Sequence, residues 1–254
     1  MGDNIARQGH KVIIFSLEQS KIELVTKAVS RLTYEISRGD ARTHTNILKS
    51  KELDNRTLDA ISKYTSEIAP NEIIKEGTFS LNVNYIRDYL KDYVANTKEH
   101  PFVIIDYLQI LAPSDLKLTD KQQVDYNITT LKKISRDLDI PILVISSFNR
   151  SNYYEPAGFD ALKESGGIEY TADVIFTMQL KASFDYSKLT EAEKKQQQSI
   201  KVQVDEAKKS NPRNIVLTCL KNRNGKTNFS VFYHYNPCFN VFEERKREEQ
   251  TEIN

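Results

Sequence analysis

Short runs of mostly apolar residues, rich in β-branched side chains, recur along the chain. They lie at residues 11–15, 102–105, 142–145, 174–176 and 215–217. Uninterrupted runs of this length are typical of strands that are buried on both faces, because a half-exposed strand alternates apolar and polar residues. The pattern therefore predicts strands that are each short enough for the centre of a parallel sheet.

Between these runs, apolar residues recur every three or four positions, which places them on one stripe of a helix. The first stripe follows Ser20 and consists of Ile22, Val25, Val29, Leu32 and Ile36. Similar stripes predict helices near residues 57–68, 83–95 and 120–138. Strands that alternate with such helices indicate βαβ crossovers, because parallel neighbours need a long connection. The expected fold class is α/β, with a mostly parallel central sheet flanked by helices.

The C-terminal part carries a signal of a different kind. Asn224 and Gly225 lie between the apolar runs 217–220 and 229–233. An Asn-Gly pair between two such runs favours a tight turn with both central residues at positive φ. We therefore expect a C-terminal β-hairpin.

The length of 254 residues suits one large domain. We expect this domain to span residues 1–243 and to be followed by a charged tail over residues 244–254. Its polar segments 38–56 and 181–213 are expected to be solvated insertions, the second partly helix and partly strand.

Charge and cysteine content narrow the classes of protein. Lys and Arg (36) nearly balance Asp and Glu (35), for a net charge of +1, so any phosphate must be bound by local loops and not by an overall basic field. Two cysteines and four histidines without paired CxxC motifs argue against structural zinc and indicate a reducing compartment. No stretch approaches the roughly 18 apolar residues of a membrane span and no signal segment is present, so we expect a cytoplasmic protein.

Polar residues at the carboxyl ends of the predicted strands are the first candidates for chemistry, because ligands of open parallel sheets bind there. Glu18, Asp106 and the pair Ser146 and Ser147 occupy such positions. An aspartate directly after an apolar strand can hold a magnesium ion on a nucleotide phosphate, and a second acid can orient or deprotonate a water. The structural alternative is that these acids form turns or cap helices.

Several segments, in order, resemble motifs of the DnaB-family replicative helicases. They are VIIFSLE at 12–18, IIDYLQIL at 104–111, SSFNRS at 146–151, ALKESGGIE at 161–169, ADV at 172–174 and KNRNG at 221–225. The resemblance extends from residue 11 to about residue 243. It implies a RecA-like motor domain that binds ATP and Mg²⁺ between the subunits of a homo- or mixed hexameric ring around single-stranded DNA.

The same resemblance implies roles for individual residues. Glu18 would polarise the attacking water, and Asp106 would hold the water shell of the magnesium ion. Lys221 and Arg223 would reach the γ-phosphate that the neighbouring subunit binds, with Arg223 as an arginine finger. Without the resemblance, Arg223 is an ordinary surface cation in a hairpin turn.

The segment around Gly166 is similar to the loop that grips DNA in this family. Lys163, Glu164 and Gly166 would contact the DNA backbone, where one cation and backbone N–H groups suit a phosphate. The structural alternative is a loop that ends a helix at the glycine pair. Ser147 stands where the family has a glutamine that senses the γ-phosphate, and a serine is too short to signal onward to this loop.

One motif of the family is missing. A phosphate-binding P-loop has the pattern GxxxxGK[ST], which this sequence does not contain. Gly225-Lys226-Thr227 is a false match, since Leu220 stands where the first glycine belongs and a hairpin follows. Residues 3–10 resemble the end of the helix after the P-loop, so we expect a chain that lacks the first strand, the P-loop and the N-terminal part that contacts primase or a helicase loader.

Three hypotheses follow. The first is the motor domain of a phage or bacterial replicative helicase that needs a P-loop from a missing piece and that, alone, binds ATP poorly and does not hydrolyse it. The second is an inactive subunit that joins a helicase ring or binds DNA. The third is a RecA-like recombination or repair ATPase, which the strings IIDYLQIL and NRNG disfavour.

Overall fold

The computed structural model describes residues 1–77, 81–149, 154–162, 166–196 and 199–245. The chain divides into two units. The first consists of Met1–Ser147 with Glu164–Thr171, and the second of Phe148–Lys163 with Ala172–Asn254.

The first unit is built on a four-stranded sheet in which every neighbouring pair is parallel. Its strands are β1 (Val12–Ser16), β2 (Glu72–Glu76), β3 (Phe102–Asp106) and β4 (Ile142–Val144), in the order β2-β1-β3-β4. The predicted strands at 11–15, 102–105 and 142–145 are confirmed, whereas β2 was not predicted. The α/β class and the parallel sheet are therefore confirmed.

Helices connect and cover these strands. They are α1 (Gly2–Arg7), α2 (Lys21–Ile36), α3 (His44–Lys49), α4 (Asn55–Glu67), α5 (Val83–Thr97), α6 (Asp120–Leu138) and α7 (Gly166–Thr171). All of the predicted helices in this part of the chain are present. The polar segment 38–56 holds α3, which buries none of its residues and is thus a solvated insertion as expected.

Local sequence explains where the two longest helices start. The side chain of Ser20 accepts a hydrogen bond from the N–H of Glu23, and the Glu23 carboxylate accepts one from the N–H of Ser20. Thr119 and Gln122 form the same reciprocal pair before α6. Each pair satisfies N–H groups that have no partner within the helix, and such caps are typically worth about 1 kcal/mol.

One face of the parallel sheet is covered by α1, α2 and α4. The core there consists of Ala6, Val12, Ala28, Val29, Leu32, Ala60, Tyr64, Ile68 and Ile104. Leu32 and Val12 are fully buried. Truncation of such a leucine to alanine typically costs about 2–5 kcal/mol, so this face fixes the sheet that carries the strand ends.

The second unit contains a separate antiparallel sheet. Its strands are β5 (Val174–Leu180), β6 (Arg213–Asn222), β7 (Phe229–Asn236) and β8 (Val241–Glu244), paired in chain order. Residues 174–176 and 215–217 thus form strands, but the prediction that they are central parallel strands is wrong. In β5, Val174 and Phe176 are exposed while Ile175 is buried, so one face is solvated as in many antiparallel sheets.

The predicted hairpin is present as β6 and β7, but its turn differs from the prediction. Residues 223–228 connect the strands, so the turn is longer than a tight Asn-Gly turn. The left-handed residue is Asn228, with φ of 56°, and its N–H donates to the carbonyl of Cys219 at 2.8 Å. Asn tolerates this conformation better than most residues, so the left-handed position of this turn does not require a glycine.

Between β5 and β6 the described residues form the helices α8 (Lys181–Ser187), α9 (Glu191–Gln196) and α10 (Ile200–Lys209). The expected strand part of segment 181–213 is therefore wrong, since β6 begins only at Arg213. Val204 of α10 is buried, so this insertion packs partly against its unit. Among the described residues, none of the helices is both long and apolar enough to cross a membrane.

Candidate functional site

The carboxyl ends of β1 and β3 lie side by side. Ser16 and Asp106 are register partners in this parallel pair, and the N–H of Leu17 donates to the carbonyl of Asp106 at 2.9 Å. Glu18 follows one residue later and is exposed. The structure thus brings Glu18 and Asp106 to the same edge of the sheet, as the sequence predicted for strand-ending acids.

The electrostatics at this edge centre on Asp106. Partial burial raises the pKa of its carboxyl above the ordinary value, the negative charge of Glu18 raises it further, and the positive charge of Lys27 opposes both. Two carboxylates that repel each other are stabilised by a nearby cation. The arrangement therefore favours a cation beside Asp106.

The turn after β1 is held by its own hydrogen bonds. The hydroxyl of Ser16 donates to the carbonyl of Gln19 at 2.6 Å, and Lys27 donates its Nζ proton to Oε1 of Gln19 at 2.7 Å. These bonds fix both ends of the turn while Glu18 stays in solvent. A carboxylate placed in this way can contact a water molecule above the sheet.

Magnesium fits the oxygen donors at this site. Among the described residues there is no group of three or more His, Cys, Asp or Glu side chains that could hold a metal ion. Mg²⁺ usually keeps several waters and takes one or two carboxylates together with phosphate oxygens of the substrate. Asp106 therefore suits a magnesium ion that arrives with a nucleotide, and does not suit a metal held by protein alone.

Gln109 links the ends of β3 and β4, and sequence reasoning missed it. Its Nε2 donates to the hydroxyl of Ser146 at 2.8 Å, and its Oε1 accepts from the N–H of Ser147 at 3.3 Å. Ser147 itself is exposed. Gln109 thus holds Ser147, the residue at the expected γ-phosphate sensor position, next to the strand that carries Asp106. The signal for Gln109 was its place within IIDYLQIL.

The second unit carries Arg223 and Lys221. Arg223 begins the connection after β6, and its Nη1 forms an ion pair with Oδ1 of Asp173 at 3.1 Å while its N–H donates to the carbonyl of Asp173 at 2.9 Å. Lys221 lies on β6 opposite Ile175 of β5. Arg223 is therefore a surface cation that is held in place by Asp173, which the sequence reasoning did not single out although it belongs to the matched segment 172–174.

The false P-loop match Gly225-Lys226-Thr227 lies in the connection between β6 and β7. A Cβ atom at Gly225 would lie 2.6 Å from Nδ2 of Asn222, so a side chain at this position requires the Asn222 amide to move. A P-loop is followed by a helix whose N–H groups bind phosphate. A strand follows here, which confirms that this match is not a P-loop.

Of the three residues expected to contact DNA, the structure describes only Gly166. Lys163 and Glu164 lie outside the described residues. Gly166 is the first residue of α7. A Cβ atom at the next residue, Gly167, would collide with Oδ1 of Asp125 on α6, so a side chain at this position requires the Asp125 carboxylate to move.

Comparison with known proteins gives a consistent picture. The family model of the DnaB-like helicase C terminal domain matches residues 1–244. The replicative DNA helicase DnaB of Helicobacter pylori is 27% identical over 250 residues, which cover 92% of this chain and 49% of the relative. A probable replicative DNA helicase of Trieres chinensis is 25% identical over 171 residues, which cover 66% of this chain and 36% of the relative. The chain thus spans about half the length or less of these relatives.

Solved structures share the fold. One of them, an ATPase domain, superposes with a TM-score of 0.75 at 19% identity, covering 96% of this chain and 78% of that one. A DnaB-like replicative helicase, described together with its interactions with primase, superposes with a TM-score of 0.73 at 19% identity, covering 96% of this chain and 53% of that one. The fold expected from the sequence motifs, that of RecA-like ATPase domains, is confirmed.

Proposed function

Because the chain belongs to the family of DnaB-like helicase C terminal domains, we propose that it is the motor part of an ATP-dependent replicative DNA helicase. The observation that carries this proposal is the pair of acids at the ends of neighbouring parallel strands, Glu18 after β1 and Asp106 after β3. The family match also favours a helicase over a recombination or repair ATPase.

In this proposal the two acids have different tasks. Mg²⁺, when bound, supplies positive charge that neutralises phosphate oxygens. Asp106 would hold the water shell of the ion, and the positive charge of the ion would offset the burial and the repulsion from Glu18 that raise the pKa of this carboxyl. Glu18, exposed in the turn after β1, orients the attacking water and accepts its proton.

A phosphate-binding loop must come from outside these 254 residues, whose sequence lacks the pattern GxxxxGK[ST]. The backbone N–H groups and lysine of such a loop hold the β- and γ-phosphates. Without the lysine and the N–H groups of such a loop, the phosphates of the nucleotide are not held next to the two acids. We therefore assign hydrolysis to the assembled protein and not to this stretch of chain alone.

Assembly into a ring supplies the remaining parts. Arg223, with Lys221 as its partner, acts on nucleotide bound by the adjacent subunit of a hexamer that is composed of identical or mixed subunits. The segment with Lys163, Glu164 and Gly166 contacts the backbone of single-stranded DNA in the ring. Contact with primase or a helicase loader belongs to parts of the protein outside this sequence.

The test combines this chain with a polypeptide that contains a strand, a GxxxxGK[ST] loop and the following helix. Magnesium-dependent ATP hydrolysis should require both components. Glu18→Gln should abolish hydrolysis while leaving nucleotide affinity nearly unchanged, because the residue acts on water and not on phosphate. Glu52→Gln, at an exposed glutamate of the same unit, is the control and should change neither. Equal loss of affinity in Glu18→Gln would show that Glu18 is structural.

The competing function is an inactive subunit that enters a helicase ring without hydrolysing ATP. Ser147 favours it, since a short exposed side chain stands at the expected γ-phosphate sensor position. The same mixture separates the two functions. Rings that form and bind DNA, but in which the sites next to this chain never hydrolyse ATP, would establish the inactive subunit.

A further inference from the structure

A groove lies open on one face of the parallel sheet, beside the strand β2. It has a volume of about 570 Å³ and lies between the start of α2, the end of α4 and β2. Ile22, Val25, Ala69 and Ile74 form apolar walls, and Glu72 places a carboxylate among them. A cleft of this size, with apolar walls and few polar groups, is typical of a ligand site.

The apolar stripe of α2 is not covered at its start. Ile22 is 61% exposed and Val25 is partly exposed, whereas Val29 and Leu32 of the same stripe are buried. Apolar surface that remains in water gains free energy when a ligand covers it. The first turn of α2 therefore offers apolar contact area that the first unit itself does not use.

Glu72 gives the groove a negative charge. Its Oε2 accepts a hydrogen bond from the hydroxyl of Tyr64 at 2.8 Å. Among the described residues, no Lys or Arg forms an ion pair with it, since Arg31 pairs with Asp3. Burial raises the pKa of the Glu72 carboxyl above its ordinary value and the charge of Asp3 raises it further, while the bond from Tyr64 and the charge of Arg31 offset both only in part. A partly buried carboxylate of this kind is stabilised by a cation.

The groove is formed before any ligand binds. Its wall at Ala69 is fixed by the next turn of chain, where Asn71 donates its Nδ2 proton to the carbonyl of Ala6 at 3.0 Å. At the other end, the carboxylate of Glu76 accepts a hydrogen bond from the N–H of Lys21 and so ties β2 to the start of α2. A site that is already ordered costs less free energy to fill.

The strand that floors the groove has a free side. Among the described residues, β2 pairs only with β1. Gly77 donates its N–H to the carbonyl of Ser16 at 2.7 Å, and successive residues of a strand direct their N–H and C=O groups to opposite sides. The N–H groups of Ile74 and Glu76 are therefore directed away from β1. Since the side chains of Ile74 and Glu76 line the groove, a peptide paired with them has every second side chain on the side of the groove.

From these observations we infer that the groove and the free side of β2 together bind an extended peptide of a partner protein, with a lysine of that peptide in the groove. Main-chain hydrogen bonds to β2 hold the peptide, the stem of the lysine lies on the apolar walls, and its ammonium group meets Glu72. This binding does not depend on ATP hydrolysis and so goes beyond the proposed function.

The geometry at Glu72 favours lysine over arginine. Tyr64 already engages Oε2 of the carboxylate, so Oε1 is the better placed acceptor for a ligand. Arginine binds carboxylates best when both oxygens are free to accept two parallel hydrogen bonds, whereas the point charge of lysine needs only one oxygen. The four-carbon stem of lysine also suits the apolar walls.

The experiment uses the full chain and, as the probe, a fluorescein-labelled and capped peptide Thr-Val-Thr-Lys-Thr-Val-Thr, whose affinity is measured by fluorescence anisotropy. Replacement of its lysine by norleucine should weaken binding about tenfold or more, because it removes a charge-assisted hydrogen bond. Replacement by arginine should weaken binding about threefold, because the second carboxylate oxygen is engaged. These comparisons change the probe and not the chain, so they do not depend on whether a variant folds.

Residue-resolved amide hydrogen exchange locates the bound probe. The N–H groups of Ile74 and Glu76 should become protected about tenfold when the probe saturates the chain. Those of Ile73 and Lys75 should change little, because they are directed toward β1 and already paired with it.

Two pairs of matched variants identify the groove. Glu72→Gln keeps an acceptor for Tyr64 but removes the charge, so it should weaken probe binding about tenfold. Glu67→Gln makes the same change of net charge at the end of α4, where Glu67 pairs with Arg7 at 3.5 Å, and should leave binding unchanged. Ile22→Ser should weaken binding about threefold, because it removes apolar contact area. Ile36→Ser, at the other end of the same stripe and 42% exposed, should have no effect.

Other outcomes would overturn the inference. They are no binding at peptide concentrations up to about 1 mM, binding without protection at Ile74 and Glu76, equal affinity of the lysine and norleucine probes, and equal losses in Glu72→Gln and Glu67→Gln. Displacement of the probe by n-butylamine at concentrations as low as those of unlabelled peptide would assign the groove to a free amine and not to a peptide. Protection that appears without the probe as the chain concentration rises would assign it to a second copy of this chain.

Discussion

The ion pair between Arg223 and Asp173 leads to opposite expectations for its two members. Arg223→Ala should suppress hydrolysis at the neighbouring subunit's site, because it removes the cation that stabilises the transferring phosphoryl group. Asp173→Ala should raise hydrolysis there, because it releases Arg223 from a partner within its own chain. Both variants act in trans, on nucleotide held by a different subunit.

The structure sets the size of both effects. The two side chains are 46% and 48% exposed, with Nη1 and Oδ1 at 3.1 Å, and such surface pairs are worth about 0.2–1 kcal/mol. Since about 1.4 kcal/mol corresponds to a tenfold change in rate, release of Arg223 accelerates the neighbouring site by at most about fivefold. Loss of an arginine finger costs about 10³–10⁵-fold in rate.

Mixed rings provide the assay. This chain is combined with helicase subunits that carry a P-loop but have their own finger arginine replaced by alanine. Light scattering confirms the size of the rings, and ATP turnover is then measured. Arg136→Ala is the matched control, because Arg136 is also exposed and forms an ion pair at 3.1 Å, with Asp137. A double-mutant cycle of Arg223 and Asp173 in thermal unfolding should give a coupling of about 0.2–1 kcal/mol that shrinks at high salt.

Two results would refute this reasoning. If mixed rings form and Arg223→Ala leaves turnover unchanged, Arg223 is only a surface cation and the match at residues 221–225 carries no catalytic role. If Asp173→Ala lowers turnover as strongly as Arg223→Ala, the aspartate positions the finger and does not restrain it.

Further predictions concern the first unit. Asp106→Asn should raise the free energy of unfolding at neutral pH by about 0.5–2 kcal/mol. The pKa of Asp106 is raised in the folded state, so the folded chain binds the proton more tightly and stability falls as pH rises through that pKa; pH-dependent thermal unfolding should show a shallower fall in the variant. Gly167→Ala should lower the free energy of unfolding by about 1–3 kcal/mol, because the added Cβ atom meets Oδ1 of Asp125. In an Asp125→Ala background the same change should be neutral or stabilising. A loss of stability of the same size in both backgrounds would contradict the packing argument. Tyr64→Phe should lower the free energy of unfolding by about 1.5–3 kcal/mol, because it removes a hydrogen bond to the partly buried carboxylate of Glu72. An unchanged midpoint of denaturant unfolding would count against that bond.

The sequence predicts the helices and the apolar strands of this fold well, but it does not predict the strand β2. The stripe from Ile22 to Ile36 predicts α2 because a buried helix face requires that period. β2 has no such signature, since EIIKE carries charges at both ends. It becomes a strand because β1 offers it a complete row of hydrogen-bonding partners, and that information lies in residues far away in sequence.

The direction of a strand cannot be predicted from a local sequence pattern either. The run 174–176 is as apolar as the run 103–105, yet one is antiparallel and the other parallel to its neighbours. Direction depends on which partner the chain topology makes available, and β6 already belonged to the hairpin with β7. A run of three apolar residues carries no information on that choice.

The candidate site divides in the same way. Glu18 and Asp106 can be singled out from the sequence because ligands of parallel sheets bind at the carboxyl ends of the strands, where both acids lie. Gln109 and Asp173 were missed because their roles depend on the atoms that they contact, Ser146 and Ser147 for the first and Arg223 for the second. Hydrogen-bond geometry of this kind is set by the folded chain and not by sequence spacing.

Among the described residues, β4 lies at an edge of the parallel sheet, and this position affects how the chain behaves in solution. Residues 141–145 read PILVI, a segment of high β-propensity without charge, and such segments promote aggregation when their edge is unpaired. Pro141 interrupts the segment at its start, and the strand itself is short, which limits but does not remove this tendency. Production of this chain alone should therefore yield material that precipitates on concentration.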